Sequence, residues 1–449
     1  MKHIVILGNG IGGITTARHV RKLSQHRITV VSGETEHFFS RTALMYLYMG
    51  HMKYEHIKPY EDFFWAKNRI ELRQAWVKSI DFEKKELHFA QSTSEPLGYD
   101  ILVLATGSTP SYFEWPGQEL PGVQGLYSYQ DLERMETAAP RGTSRGVVVG
   151  GGLIGVEMAE MLLSRDIPVT LLVREKSYWG NVLPREESEL VSRHIREHGV
   201  DLRFGAELAE IKPDASGQRV GSIKTTSGEE IAGPFVGLAT GVRPNVDFLR
   251  GTSLEVDRGI LVNKYLETNL PDVYALGDCA QHREPPAGRK PVEQIWYTGR
   301  IMGETLARTL CGTRTPYTPG VFYNSAKFFD IEYQTYGQVP ARLDADTGTF
   351  YWEHPEGRIA LRINFEKETG AVTGFNACGL RLRHEVCARW IEQQSTLSHV
   401  MQHLREAHFD PEFFRRHEPA IAAAFRAAHP AQASSLQGKR SWRERWFSF

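Results

Sequence analysis

The stretch that decides the fold reads Ile4-Val5-Ile6-Leu7-Gly8-Asn9-Gly10-Ile11-Gly12-Gly13, and it is answered by Gly146-Val147-Val148-Val149-Gly150-Gly151-Gly152-Leu153-Ile154-Gly155. Each enters from a short apolar run, passes through a GxGxxG turn and continues as a helical pattern, to Leu23 in the first case and Ser164 in the second. A further apolar run follows each helix, Ile28-Thr29-Val30-Val31 and Val169-Thr170-Leu171-Leu172-Val173. In such a strand–turn–helix–strand unit the first glycine permits a tight turn. The second lets a pyrophosphate approach the backbone, and the third lets helix and strand pack closely. The helix start adds free N–H groups and a partial positive charge. One GxGxxG match is weak; two in the right context specify two dinucleotide sites. Gly8, Gly10 and Gly13 belong to one, and Gly150, Gly152 and Gly155 to the other.

Outward from these units, more short apolar strands end in small-residue turns. Ile101-Leu102-Val103-Leu104 runs into Ala105-Thr106-Gly107-Ser108, and Phe235-Val236-Gly237-Leu238 into Ala239-Thr240-Gly241-Val242-Arg243-Pro244. Val273-Tyr274-Ala275-Leu276 runs into Gly277-Asp278. The order predicts an α/β chain with two Rossmann-like dinucleotide-binding domains, one (113–244) inserted into the other (1–112 and 245–318). From residue 319 the texture changes to an α+β domain, 319–449. Ser325 to Ile331 and Arg358 to Ile363 are expected strands, and helices follow Arg381. The basic, aromatic segment 439–447 is expected to be a packed or frayed terminus rather than an anchor.

Composition sets the outer bounds. The 449 residues are too many for one core, and 41% hydrophobic with 24% charged is the balance of a soluble globular chain. A formal charge of -1 without charge runs argues against nucleic acid as a partner. No apolar stretch is long enough for membrane insertion, and the strand beginning at Ile4 leaves no room for a signal peptide, so the cytoplasm is expected. The four cysteines, Cys279, Cys311, Cys378 and Cys387, show neither CxxC nor CxxxxC spacing. No dithiol motif and no metal site is therefore expected.

With both fingerprints and the ATG and GD turns in this order, the chain resembles the pyridine nucleotide–disulfide oxidoreductase superfamily, FAD- and NAD(P)-dependent flavoproteins. The resemblance implies that Gly8, Gly10 and Gly13 hold the FAD pyrophosphate. Asp278 would bind the ribityl or phosphate portion, and Arg41, Thr42, Val77, Thr106, Gly107, Gln294 and Ile295 would complete the flavin site. The adenosine ribose calls for a carboxylate after the second strand. Glu34 is the only candidate within reach, although counting back from Arg41 puts the family's usual position at Gly33. Gly150, Gly152, Ile154, Gly155 and Gly241 would hold the nicotinamide cofactor, with Glu157 near the nicotinamide, as a first-turn helix residue. Arg174 and Lys176 can pair with a 2′-phosphate, and Glu175 between them can bind a 2′-hydroxyl; NADPH is favoured over NADH. A helix opening at Glu293 would direct its positive end at the flavin, with Trp296 and Tyr46 lining the ring.

Thr42 bears most on function. Relatives such as coenzyme A disulfide reductase and NADH peroxidase place a cysteine in a frame like Thr42-Ala43-Leu44-Met45-Tyr46, and a threonine hydroxyl cannot form a mixed disulfide or sulfenic acid. The expectation is an NAD(P)H oxidoreductase that transfers hydride to flavin N5. Its electrons would pass to a ferredoxin- or rubredoxin-like carrier protein, a quinone or oxygen. A thiol, persulfide or peroxide reductase using a distant cysteine is one alternative; a redox-responsive binding protein akin to apoptosis-inducing factor is the other. A homodimer is expected through the C-terminal domain.

Overall fold

The computed structural model describes residues 1–91, 95–410 and 412–430, so the basic, aromatic tail lies outside the described residues. The chain divides into two compact units. The first comprises residues 1–174 and 199–319 and contains both glycine turns. Its first parallel sheet has the strand order Val273–Ala275, Ile101–Leu104, His3–Leu7, Arg27–Ser32, Ile70–Gln74. Its second has Asp201–Phe204, Val169–Val173, Gly146–Val149, Phe235–Leu238, Val123–Gln124, again parallel throughout. These central runs lack polar alternation because a parallel sheet is covered on both faces. Ile4, Val5 and Ile6 in one sheet, and Val147 and Val148 in the other, are fully buried.

Small residues bring the helices close. A Cβ on Gly12, in the Ile11–Leu23 helix, would lie 2.3 Å from Leu276 Cδ1. A Cβ on Gly303, in the Trp296–Leu310 helix, would lie 2.7 Å from Gly12 O. The chain leaves the first sheet through Ser108–Pro110 and returns through Val242–Pro244, and these segments pair antiparallel.

The second unit comprises residues 175–198 and 320–449. It holds an antiparallel sheet in the order Tyr323–Phe328, Ile331–Gly337, Val372–Cys378, Ala360–Glu366, Thr347–Glu353. The single strand expected from Ser325 to Ile331 is instead a hairpin. Phe329, at φ +55°, turns the chain with Asp330, and Phe328 pairs with Ile331. Helices His384–Glu392, Leu397–His403 and Glu418–Ala428 follow, as expected beyond Arg381.

The Arg185–Glu197 helix falls in sequence between the nucleotide strands, yet it groups with this second unit. A buried ion pair accounts for that. Arg362, on the Ala360–Glu366 strand, donates from Nε to Glu187 Oε1 at 2.6 Å and from Nη2 to Glu187 Oε2 at 2.9 Å. Its Nη2 also reaches Glu186 Oε2 at 2.6 Å. The Arg362 and Glu187 side chains are 2% and 1% exposed, so neither charge has water as an alternative partner. No helix among the described residues is long and apolar enough to cross a membrane.

Candidate functional site

The two glycine turns are the same object built twice, and the three glycines of each do different work. Gly8 has φ +116°, and a Cβ there would sit 2.1 Å from Ala105 O; Gly150 has φ +126° and would meet Ala239 O at 2.2 Å. Both demand glycine through conformation and space. Gly13 would strike Gly8 O, and Gly155 would strike Gly150 O, each at 2.1 Å. Gly10 and Gly152 differ. Each is the N-cap of its helix, at φ -68° and -103°, and a Cβ on either meets nothing within 4 Å. No described residue fills the Cβ direction at either position, and that open space is what a pyrophosphate approaching the helix N-terminus would use.

Asp278 organises a hydrogen-bond network in the same unit as the first turn. It lies in a short 3₁₀ helix, Gly277–Cys279, after the strand Val273–Ala275. Its Oδ2 accepts from Ser108 Oγ at 3.0 Å and from Tyr127 Oη at 3.3 Å. The same Ser108 Oγ accepts from Gln294 Nε2 at 2.8 Å, and Ser108 N–H donates to Tyr127 Oη at 3.0 Å. Oδ1 has no hydrogen-bond partner among the described residues, which leaves one carboxylate oxygen for a ligand hydroxyl. Burial pushes the Asp278 carboxyl pKa up, opposed by Ser108, Arg41 and Tyr127. Together with the open Cβ direction at Gly10, this donor and acceptor set fits FAD.

Arg41 and Glu34 form one unit. Arg41 Nη1 donates to Glu34 Oε1 at 2.8 Å and Nη2 to Oε2 at 2.6 Å, while Nη1 also reaches Tyr127 O at 2.7 Å. The guanidinium lies over the Tyr127 ring, 4.5 Å from its centroid. Glu34 Oε1 further accepts the Tyr129 N–H at 2.8 Å. The expected ribose carboxylate is thus engaged with the expected flavin arginine. At the alternative position, a Cβ on Gly33 would fall 2.2 Å from Trp76. Tyr127 and Ser108 had no motif to reveal them, because their roles arise from partners up to 186 positions away.

The other expected residues are placed as follows. Thr42 is exposed in the 3₁₀ turn Arg41–Ala43, with its hydroxyl 3.2 Å from Ser40 Oγ. Tyr46 is half-buried on the Leu44–Tyr48 helix and stacks on His51 at 6.3 Å. Val77 begins the strand Val77–Asp81 against the core. Thr106 donates to Asn245 O at 2.8 Å, and Gly107 and Gly241 take φ of +70° and +114°. The helix expected to open at Glu293 opens at Trp296, with Ile295 as N-cap. The reason is that Glu293 is buried in an ion pair with Arg289, 2.7 Å from Nε to Oε1. Trp296 meets Tyr297 edge-on at 5.3 Å. Ile154 and Glu157 are half-buried on the Leu153–Leu163 helix. Glu157, expected in the first turn, is the fifth residue of a helix that begins at Leu153 and so lies just beyond that turn. Arg174 is exposed after the strand Val169–Val173, in the first unit; Lys176 is exposed in the second, where Glu175 accepts from Asn181 Nδ2 at 3.1 Å.

None of the cysteines is disposed for redox work. All four are free; Cys279, Cys378 and Cys387 are buried and Cys311 half-buried. Burial pushes each thiol pKa up, which suppresses the reactive thiolate.

The family described as pyridine nucleotide-disulphide oxidoreductase matches residues 2–301. A rubredoxin-NAD(+) reductase of Acinetobacter baylyi is 28% identical over 84% of this chain and 94% of its own length. A nitrite reductase [NAD(P)H] of Bacillus subtilis is 28% identical over 74% of this chain, which spans only 40% of that protein. The crystal structure of a covalent putidaredoxin reductase–putidaredoxin complex shares the fold, with a TM-score of 0.77 at 22% identity over 88% of this chain and 93% of that one.

Proposed function

This chain belongs to the pyridine nucleotide-disulphide oxidoreductase family and is an FAD-dependent NAD(P)H oxidoreductase, and we propose that its electrons go to a small one-electron carrier protein of the rubredoxin or ferredoxin kind. The observation that carries this reading is Thr42. An exposed hydroxyl stands where thiol-using relatives resembling this chain carry their cysteine, and the four thiols present elsewhere are buried or half-buried and held protonated. The names of the Acinetobacter relative and of the putidaredoxin complex, which concern carrier proteins, agree with it.

When bound, FAD would supply the redox chemistry, two-electron hydride acceptance and one-electron release. The chain's own residues position and polarise. Gly10 and Gly152 open two helix N-termini to two pyrophosphates. Asp278 offers Oδ1 to a hydroxyl while Ser108 and Tyr127 hold Oδ2, so the carboxylate cannot rotate away. Gln294 tethers the approach to the Trp296–Leu310 helix to that network. NADPH is the preferred donor in this reading: Val173 is buried against Gly151, leaving Arg174 as the first exposed side chain after the strand.

Anaerobic stopped flow with NADH and NADPH tests the first half-reaction, and a panel of rubredoxin, [2Fe–2S] ferredoxin, quinone, oxygen and disulfides tests the second. The expected result is rapid bleaching, faster with NADPH, and turnover with an iron–sulfur or rubredoxin carrier well above that with disulfides. Bleaching without turnover on any carrier, or efficient disulfide reduction, would overturn the proposal.

A further inference from the structure

The second unit carries a cluster of ligating side chains that the flavin and nicotinamide chemistry does not use. His194 lies on the Arg185–Glu197 helix and His198 caps its C-terminus. A spacing of four places both rings on one face, with centroids 4.4 Å apart. Facing them is Asp330, in the two-residue turn between strands Tyr323–Phe328 and Ile331–Gly337. Asp330 Oδ1 contacts His194 Nε2 directly and lies 3.6 Å from His198 Nε2. One ligand atom from each of the three side chains lies within 4.8 Å of the others.

We propose that His194, His198 and Asp330 bind one divalent transition-metal ion, zinc foremost, joining the helix to the hairpin within the second unit. Tetrahedral zinc at roughly 2.0–2.1 Å from each donor needs donors about 3.4 Å apart, so small side-chain rotations admit it. Two nitrogens and one oxygen suit zinc, whereas calcium and magnesium take oxygen sets.

The surroundings already orient the ligands. His198 Nδ1 lies 2.9 Å from His194 O, and donating its proton there leaves the Nε2 lone pair toward Asp330. The Phe329 ring stacks on His198 at 4.2 Å and 18°, fixing the imidazole plane. Phe329 does so from a positive φ of 55°, a conformation uncommon for a bulky residue. His194 is buried, and its Nδ1 faces Glu197 Oε2 at 3.6 Å. Arg358 lies 3.5 Å from Asp330 Oδ2 and 3.4 Å from Glu197 Oε2. Two carboxylates against one guanidinium leave a net negative charge for a cation. Asp330 is 58% exposed, so the fourth coordination position opens to water.

The molecule contains its own control. His399 and His403 on the Leu397–His403 helix have the same spacing, stack at 4.2 Å, and have His403 Nδ1 2.9 Å from His399 O. No carboxylate joins them in a ligating group among the described residues. The full chain, stripped with a chelator, is titrated with zinc chloride against a chromophoric competitor, and bound metal is counted by mass spectrometry. One zinc per chain is expected, with His198→Gln and Asp330→Asn each weakening it by about tenfold or more and His399→Gln leaving it unchanged. Cobalt absorption and zinc-dependent thermal stabilisation should be lost in the same two variants. Metal-free circular dichroism and a cooperative urea transition, both expected unchanged, confirm folding; should His198→Gln not fold, Asp330→Asn decides. Absence of stoichiometric zinc, wild-type affinity in Asp330→Asn, or an equal loss in His399→Gln overturns the proposal.

Discussion

Gly8→Ala and Gly10→Ala separate the two demands that the first glycine turn makes. At Gly8 an alanine must adopt φ +116° with its Cβ 2.1 Å from a backbone oxygen. The backbone conformation costs about 1–3 kcal/mol, and relieving the overlap costs about 1–3 kcal/mol more. The sum, about 2–6 kcal/mol, is a large share of a typical folding stability of about 5–15 kcal/mol. At Gly10 the backbone is ordinary, at φ -68°, and the new methyl meets no atom of the described residues within 4 Å. Alanine is a poorer N-cap than glycine but also restricts the unfolded chain, and these effects largely cancel, to within about 1 kcal/mol. The methyl does, however, occupy the approach path of the pyrophosphate. An overpacking penalty of about 1–3 kcal/mol there corresponds to a loss of roughly 5- to 150-fold in FAD affinity. Urea unfolding of the apoprotein and flavin titration read the two quantities separately. Gly8→Ala should lower the urea midpoint sharply, and Gly10→Ala should lower only affinity. The second turn repeats the test: Gly152→Ala should weaken the nicotinamide dinucleotide while flavin content stays whole, and Gly150→Ala should destabilise. Equal destabilisation by Gly8→Ala and Gly10→Ala, or wild-type flavin affinity in Gly10→Ala, would refute the division of roles.

Arg362→Met should cost about 3–5 kcal/mol in chemical denaturation, because it strands the buried Glu187 carboxylate without a partner; an Arg362→Met and Glu187→Leu double variant should recover much of it. Asp201 has its pKa held below its ordinary 3.8, chiefly by hydrogen bonds from Arg203. Its stabilising contribution is therefore present above pH 3.8 and disappears as pH falls through the lower folded-state value. Since Asp201 is 40% exposed, the effect should be below about 1 kcal/mol, visible as a smaller acid-side loss of thermal stability in Arg203→Met. Replacing all four cysteines by serine should leave flavin reduction and carrier turnover intact. Loss of turnover with flavin content preserved would restore a thiol mechanism.

What the sequence disclosed depended on how locally each feature is specified. The glycine turns were legible because the residues that make them also use them: Gly8, Gly10 and Gly13 act within six positions. The start of the Trp296–Leu310 helix was misplaced because Glu293, a good first-turn residue by type, is committed to Arg289. The affiliation of residues 175–198 lay in Arg362, 175 positions from Glu187, and had no local signature. The His194–Asp330 contact, 136 positions apart, was hidden likewise, although the His-x-x-x-His spacing could have been noticed.

The same distinction bears on function. Thr42 informs only about what is absent, whereas the network of Asp278, Ser108, Tyr127 and Gln294 informs about what is kept. That network spans four separate segments of one compact unit, and each link is a hydrogen bond of 2.8–3.3 Å. A chain that had lost its reductase role would have no reason to keep Asp278 fixed through Oδ2 with Oδ1 left over. Taken with the proposed flavin site, the missing thiol supports the proposed carrier protein as electron acceptor in place of a disulfide.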